Sequence, residues 1–169
     1  IEVTKEIGIG SGGVPLLTGT SIYQEELEKL IAKISGMDDT ILFSSGYTAN
    51  LGVISGLIRP NNLIIHDKLD HASLLDGTVM SGAKMIRYKH GDINDLERLL
   101  KDNSPQYPNG ILVVTDGVFS MDGDIAKLPQ ILEITRKYDA ILLVDEAHAT
   151  GVIGDKGAGT LSHLSLIHI

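Results

Sequence analysis

Short apolar segments alternate with stretches of helical periodicity along most of the chain, and this alternation restricts the folds that the sequence can adopt. The predicted strands are residues 41–43, 63–65, 84–88, 111–114 and 140–144. The predicted helices lie between residues 21 and 36 and at residues 47–57, 73–80, 94–100 and 128–138. Uniformly apolar strands separated by helices are typical of a mainly parallel sheet with helices on both faces. The sequence therefore predicts one α/β domain.

The first predicted helix carries signals at both of its ends. Ser21 is followed three residues later by Gln24, which is the pattern of a capping box. Gly36 follows the last apolar residue of the helical pattern and is expected to end the helix.

Composition argues against several classes of function. Lys and Arg number 14 against 22 Asp and Glu, which gives a formal net charge of -8. A nucleic-acid partner is not expected, because phosphate backbones are bound by clustered basic side chains. No apolar run reaches the length of a membrane span, and there is no signal-peptide pattern. Because cysteine is absent, disulfides and thiolate metal sites are excluded. We expect a cytoplasmic protein that does not bind membranes.

Polar or glycine-rich residues follow the predicted strands, at the edge of a parallel sheet where ligands bind. After the first strand, the turn Ser44-Ser45-Gly46-Tyr47 opens a helix. Such a turn presents backbone N–H groups to an anion, and the helix dipole adds to the attraction. The same residues also fit an ordinary capped helix start. This segment alone leaves both interpretations open.

His71 follows the second predicted strand and precedes a helix. Its ring could stack on a planar cofactor or merely cap the helix, and the second role is the more common one for a residue in this position. A divalent metal held by Asp67, Asp70 and His71 is a third interpretation, but oxygen-rich sites normally need more converging ligands. We therefore predict no metal site.

The loop at residues 115–124 follows the strand at residues 111–114 and contains two glycines among three aspartates. This composition indicates a turn-rich loop over a site. Ser120 could donate a hydrogen bond to a phenolate oxygen there, although most loop serines bond only to the local backbone.

Asp145-Glu146-Ala147-His148 follows the last predicted strand and is the strongest local signal. A carboxylate in this position is costly unless a cation or hydrogen-bond donors meet it. A nucleotide-binding P-loop protein would explain the motif, but it requires an upstream G-x-x-x-x-G-K-[ST], which is absent. A pyridoxal 5′-phosphate (PLP) site would also explain it, since Asp145 could pair with the pyridinium nitrogen and His148 could reach the phenolate side of the ring.

Taken together, these segments resemble the α-oxoamine synthases, which are fold-type I PLP enzymes related in fold to aspartate aminotransferase. The matching stretches are residues 17–20, 43–51, 70–73, 115–124 and 144–151. Their order and spacing agree with the family from about Gly8 to Ser162. The Ser-Met-Asp-Gly loop combined with the Asp-Glu-Ala-His strand end is highly specific.

The resemblance implies a role for each matching residue. Gly46 and Tyr47 would hold the cofactor phosphate, with Asn50 nearby. His71 would stack on the pyridine ring and Asp145 would pair with its nitrogen, and these two residues together with His148 would be catalytic. The resemblance further places Ser120 and His148 near the phenolate oxygen. It places Asp116 near the reacting carbon.

The resemblance also implies the reaction, which condenses an amino acid with an acyl thioester to give an aminoketone. The turn Ser45-Gly46-Tyr47 and residues 145–151 look most like the branch that joins L-alanine to pimeloyl-CoA or pimeloyl-ACP, with loss of CO2, in biotin biosynthesis. Residues 115–119 look more like the glycine C-acetyltransferases, which make 2-amino-3-oxobutanoate from glycine and acetyl-CoA. A homodimer is expected for the intact enzyme.

The sequence departs from the family in two places. Relatives carry their Schiff-base lysine a few dozen residues after the Asp-Glu-Ala-His strand, which lies beyond Ile169, so the 169-residue chain alone is expected to be inactive. Residues 1–163 are predicted to be part of a PLP-binding large domain, and residues 164–169 to be a non-native tail. Val14-Pro15 stands where many relatives have a serine–arginine pair.

Overall fold

The computed structural model describes residues 1–108 and 110–166, and the chain divides into two compact units, Ile1–Leu42 and Phe43–Ile169. The first unit contains helix α1 (Glu2–Ile7), one π-helical turn (Pro15–Gly19) and helix α2 (Ile22–Ser35). The predicted capping box is present: the Ser21 hydroxyl accepts from the Gln24 N–H, and the Gln24 side chain accepts from the Ser21 N–H. Gly36 ends α2 in the left-handed conformation, as predicted.

The second unit alternates helices and strands, as the sequence predicts. Its elements in chain order are α3 (Gly46–Leu57), β1 (Leu63–Asp67), α4 (Ala72–Ser81), β2 (Lys84–Tyr88), α5 (Ile93–Asn103), β3 (Ile111–Asp116), α6 (Leu128–Lys137), β4 (Ile141–Asp145) and α7 (Thr160–His163), with short 3-10 turns at Ser104–Gln106 and Asp155–Gly157. The four strands are parallel in the order β2-β1-β3-β4. The predicted fold class is confirmed.

Apolar side chains alternate between the two faces of the sheet and form a core cluster on each. On one face Leu63, Ile65 and Val113 pack with leucines and isoleucines of α5 and α6. On the other face Ile64 and Val114 pack with residues of α3 and α4. Burial of one such side chain contributes about 1.5–3 kcal/mol, so the two clusters hold the helices against both faces.

The predicted strand at residues 41–43 is wrong. These residues form no strand, and Ile41 is 78% exposed. Three apolar residues resemble a buried strand in sequence, but a strand also needs a neighbour that takes up its backbone hydrogen bonds. In contrast, β1 and β3 each run two residues further than predicted, so Asp67 and Asp116 are strand residues rather than loop residues.

The predicted tail lies at the end of the second unit. Leu164 and Leu166 pack against the edge of the larger core cluster, and residues 167–169 lie outside the described part of the chain. The domain boundary at residue 163 stays a prediction. Within the described ranges, none of the helices combines the length and the apolar character that crossing a membrane requires.

Candidate active site

The sheet order creates a crevice at the carboxyl ends of the strands. β1 lies between β2 and β3, so the chain leaves β1 on one side and later returns to its other side. Ligands of open parallel sheets bind where the strand order reverses in this way. Asp67, Asp116 and Asp145 are the last residues of β1, β3 and β4. The fold therefore gathers carboxylates at the edge where a ligand is expected.

A cleft of about 100 Å³ opens at this edge. The residues that line it are Gly46, Tyr47, Asn50, His71, Ser73, Asp116, Asp145, Ala147 and His148. All the predicted cofactor-binding residues except Ser120 are among them. Ser120 is exposed in the loop after β3 and is not a lining residue, so its contact with a phenolate oxygen stays a prediction. Sequence reasoning missed Ser73 and Ala147.

The first turn of α3 forms one wall of the cleft. The Ser45 hydroxyl accepts a hydrogen bond from the Thr48 N–H, and the Thr48 hydroxyl receives the Ser45 N–H in return. The N–H groups of Gly46 and Tyr47 precede the first intrahelical hydrogen bond of α3, so the helix itself provides no acceptor for them. They are available to an anion, and the capping role of Ser45 is compatible with this second role.

Tyr47 has a side-chain partner on the neighbouring helix. Its hydroxyl donates a 2.6 Å hydrogen bond to the Asp76 carboxylate in α4. This hydrogen bond raises the pKa of the Tyr47 phenol. The contact links the start of α3 to the middle of α4.

His71 performs the capping role that the sequence left open. Its Nδ1 lies 3.2 Å from the Ser73 N–H nitrogen and 2.7 Å from the Ser73 hydroxyl, at the N-terminus of α4. The ring also lines the cleft. Capping and a contact with a bound ligand are therefore compatible, because capping uses only one of the two ring nitrogens.

Asp145 obtains the hydrogen-bond donors that its position at the end of a strand requires. One carboxylate oxygen accepts from the Ala147 N–H at 2.9 Å, and the other accepts from the Asn50 side-chain amide at 2.7 Å. The same amide nitrogen lies 2.9 Å from the Ser73 hydroxyl. The sequence predicted Asn50 near a cofactor phosphate, whereas the hydrogen bonds of its amide go to Asp145 and Ser73.

Asp116 is the most perturbed acid of the cleft wall. It is only 3% exposed and is the register neighbour of Asp145 in the adjacent strand. Burial, followed by the nearby Asp145 carboxylate, raises the pKa of Asp116 to about 6. Its Oδ1 atom is buried without a hydrogen-bond partner in the described part of the chain. A buried, orphaned oxygen in a cleft wall is suited to a ligand that brings a donor.

A fully buried pair, His66 and Asp70, lies behind the cleft wall, with Nδ1 of His66 2.9 Å from Asp70 Oδ2. The other ring nitrogen of His66 lies 2.8 Å from the Thr78 hydroxyl, whose proton goes to the Leu74 carbonyl. That ring nitrogen must therefore carry a hydrogen. It follows that a proton is also held between Nδ1 and Asp70.

The His66–Asp70 pair is neutral as a whole. Burial lowers the pKa of His66 and raises the pKa of Asp70, so both directions place the shared proton on the carboxyl group. Asp70 also accepts the backbone N–H groups of Asp67 and Asp116. The pair thus fastens the ends of β1 and β3 directly before His71. In the sequence, the one sign of this pair is His66, a polar residue that continues an apolar strand.

His90 anchors the loop that carries Ser120. Its two ring nitrogens lie 2.8 Å from the Asp67 carboxylate and 2.9 Å from the Asp124 carboxylate. Burial opposes protonation of the ring, but the two carboxylates outweigh it and raise the pKa of His90. Despite these acidic side chains, no group of three or more His, Cys, Asp or Glu residues within 1–108 and 110–166 is arranged to hold a metal ion.

The fold is a parallel α/β domain with a cleft at the carboxyl edge of its sheet. The chain belongs to the aminotransferase class I and II family, whose family model matches residues 1–167. The more specific resemblance to α-oxoamine synthases is also confirmed by individual relatives and solved structures.

Two curated relatives illustrate the sequence similarity. A putative 8-amino-7-oxononanoate synthase of Trichodesmium erythraeum is 47% identical over 165 residues, and the 8-amino-7-oxononanoate synthase of Thermoanaerobacter pseudethanolicus is 45% identical over 166 residues. Each alignment covers 98% of this chain and 42% of the relative. The chain thus spans less than half the length of these relatives.

Solved structures of related enzymes share the fold. Serine palmitoyltransferase of Sphingomonas wittichii superposes with a TM-score of 0.91 at 36% identity, covering 98% of this chain and 41% of that one. The 8-amino-7-oxononanoate synthase of Francisella tularensis gives a TM-score of 0.79 at 32% identity, covering 98% of this chain and 44% of that one. One serine palmitoyltransferase structure is described as containing PLP, in agreement with the cofactor that the sequence predicts.

Proposed function

We propose that the protein is a PLP-dependent C-acyltransferase that joins an amino acid to an acyl thioester. The observation that carries this proposal is the Asp145 carboxylate, which is held at the edge of the cleft by the Ala147 N–H and the Asn50 amide. His71 and His148 line the same cleft. A fixed carboxylate is the partner that a protonated pyridine nitrogen requires.

The side chains present fit PLP. The N–H groups of Gly46 and Tyr47 would hold the phosphate at the start of α3, where the helix dipole favours an anion. Asp145 would pair with the pyridinium nitrogen, and His71 would lie against the ring. When bound, PLP supplies an electron sink that stabilises negative charge on the α-carbon of the amino acid.

Asp116 is suited to a polar contact with the substrate side of the cofactor. Its buried Oδ1 has no partner in the described structure, and its pKa of about 6 lets it hold or release a proton near neutral pH. We assign Asp116 to accept a hydrogen bond from a bound group when ionised and to donate one when protonated. Ser120 and His148 are assigned to the phenolate side of the ring.

For substrates we propose L-alanine and a pimeloyl thioester, either pimeloyl-CoA or pimeloyl-ACP, with release of CO2 as in biotin biosynthesis. The support is that the relatives with 43–47% identity are named 8-amino-7-oxononanoate synthases. Glycine with acetyl-CoA is the second candidate, because Thr115-Asp116-Gly117-Val118-Phe119 resembles the glycine C-acetyltransferases. We further propose a cytoplasmic homodimer whose Schiff-base lysine lies beyond Ile169, with residues 1–163 forming part of its PLP-binding domain.

The test is a titration of the full-length protein, first with PLP and then with L-alanine or glycine. A visible absorbance band that shifts with L-alanine, followed by CoA release from pimeloyl-CoA, supports the biotin-pathway assignment. A response to glycine alone moves the assignment to the acetyltransferase. No visible band with PLP contradicts the proposal as a whole. Asp145→Asn should lose turnover, whereas Asp139→Asn, which changes a carboxylate remote from the cleft lining, should not.

A further inference from the structure

A continuous set of hydrogen bonds joins Asp145 to His71 through two residues to which the sequence assigns no such role. Asp145 Oδ2 lies 2.7 Å from the Asn50 amide nitrogen, and this nitrogen lies 2.9 Å from Ser73 Oγ. Ser73 Oγ in turn lies 2.7 Å from His71 Nδ1. The set runs from β4 through α3 to the first turn of α4.

The direction of each hydrogen bond follows from the number of protons available. The Asn50 amide must present its NH2 group to Asp145, because a carbonyl oxygen 2.7 Å from a carboxylate oxygen would be repelled. One amide hydrogen then goes to Asp145 and the other to Ser73 Oγ. Since Ser73 Oγ is an acceptor from Asn50, its own single proton is free to point at His71 Nδ1.

His71 Nδ1 is an acceptor, because the Ser73 backbone N–H points at it at 3.2 Å. The Ser73 hydroxyl, 2.7 Å from the same nitrogen, must then donate its proton to it. An imidazole nitrogen that accepts from two donors carries no hydrogen of its own, so in the neutral ring the hydrogen resides on Nε2.

Burial makes these hydrogen bonds costly to break. Ser73 is 1% exposed, and the side chain of Asn50 is partly buried. A buried hydroxyl that lost its partners would carry the cost of an unsatisfied polar group. The arrangement of donors is therefore expected to persist rather than to exchange with water.

We propose that Asn50 and Ser73 are positioning residues that set the orientation of the Asp145 carboxylate and the tautomer of His71 together. The inference rests on the proposed function in that Asp145 and His71 are taken to face PLP. An isolated role of Asn50 and Ser73, in which they merely tie α3 to α4, would explain the contacts but would require no particular tautomer of His71.

The test is the tautomer itself, measured by NMR on the full-length protein labelled with 15N-histidine, before and after addition of PLP. We expect His71 to carry its hydrogen on Nε2 in both states. Ser73→Ala and Asn50→Ala should each increase the fraction of the Nδ1–H tautomer. Ser55→Ala is the matched control, because the Ser55 hydroxyl donates only to a carbonyl within α3 and is not a cleft residue.

Cofactor affinity is the second readout. Asn50→Ala removes a hydrogen bond to a carboxylate, so the dissociation constant of PLP should rise roughly ten- to a hundredfold, with no change in Ser55→Ala. The inference is overturned if wild-type His71 carries its hydrogen on Nδ1, or if Asn50→Ala leaves both tautomer and affinity unchanged. If the tautomer is as expected but the protein binds no PLP, the proposed function fails while the hydrogen-bond arrangement stands.

Discussion

Gly77 in α4 faces the backbone carbonyl oxygen of Asn50 in α3, and a β-carbon at residue 77 would stand 3.0 Å from that oxygen and 3.1 Å from the side chain of Ile54. The two helices approach closely because residue 77 has no side chain. Their approach allows Asn50 to reach Ser73. Gly77, which is not itself a lining residue, thus affects the geometry of the site.

Gly77→Ala is expected to destabilise the protein by about 1–3 kcal/mol, because the added methyl group must push α4 away from a backbone atom. Thermal unfolding of the full-length protein measures the effect. Gly56→Ala is the control: a β-carbon at residue 56 in α3 meets nothing within 4 Å, so alanine there should be neutral or stabilising by up to about 1 kcal/mol. Equal midpoints for the two variants would contradict the packing argument.

Two serine caps allow the anion-binding role of α3 to be separated from its stability. Ser45→Ala and Ser21→Ala each remove an N-cap, of α3 and of α2 respectively. Each is expected to cost about 1 kcal/mol of stability. Only Ser45→Ala should also weaken PLP binding, because Gly46 and Tyr47 in the first turn of α3 line the cleft, whereas no lining residue belongs to α2. Isothermal titration with PLP checks this, and equal affinities in both variants would argue against a phosphate at Gly46 and Tyr47.

The buried pair His66–Asp70 predicts how stability depends on pH. The pKa of Asp70 is raised from 3.8 to about 9, so the folded protein keeps a proton that the unfolded chain releases, and stability falls as pH rises across this range. The pKa of His66 is lowered from 6.5 to about 4, which has the opposite sign but acts only below about 6.5. Between pH 6.5 and 9 the Asp70 effect remains, and stability should decrease.

Asp70→Asn tests this dependence because asparagine resembles the protonated acid. The variant loses the contact with the Asp67 N–H and should be about 1 kcal/mol less stable at pH 6.5. Toward pH 9 the wild type should lose about 2–3 kcal/mol relative to the variant. His90 is present in both proteins and cancels in the comparison. Parallel stability curves, measured by thermal unfolding across this pH range, would show that Asp70 is ionised in the folded protein.

The ionised Asp116 carboxylate is expected to lower the stability of the folded protein while it contributes to turnover. Its pKa is raised to about 6 by burial and by Asp145, so the folded state loses stability as pH rises from about 4 to 6. Asp116→Asn should therefore raise stability by about 1–3 kcal/mol at pH 8 and much less at pH 4, while it lowers turnover. Unfolding at both pH values and a CoA-release assay check the two effects. A variant that is less stable at pH 8 would refute the argument.

Much of the fold could be predicted from the sequence because helical and strand periodicity are local properties. The helix limits at Ser21 and Gly36 and the alternation of apolar strands with helices could be recognised from neighbouring residues alone. The strand predicted at Ile41-Leu42-Phe43 was wrong because the prediction used only local sequence. A strand also depends on a partner, which the local sequence does not contain. Most cleft residues were predictable because they follow strands or match family motifs.

The sequence by itself determined the alternation of elements, the polar residues at the strand ends and the family to which the chain belongs. Only the tertiary structure decided how those polar residues share their protons. Asn50 lies 95 residues from Asp145 in sequence and yet donates to it. His66 and Asp70 become a neutral pair only because the sheet and α4 bury them together. Hydrogen-bond direction and proton location depend on distances of a few tenths of an ångström, which only the packed structure sets.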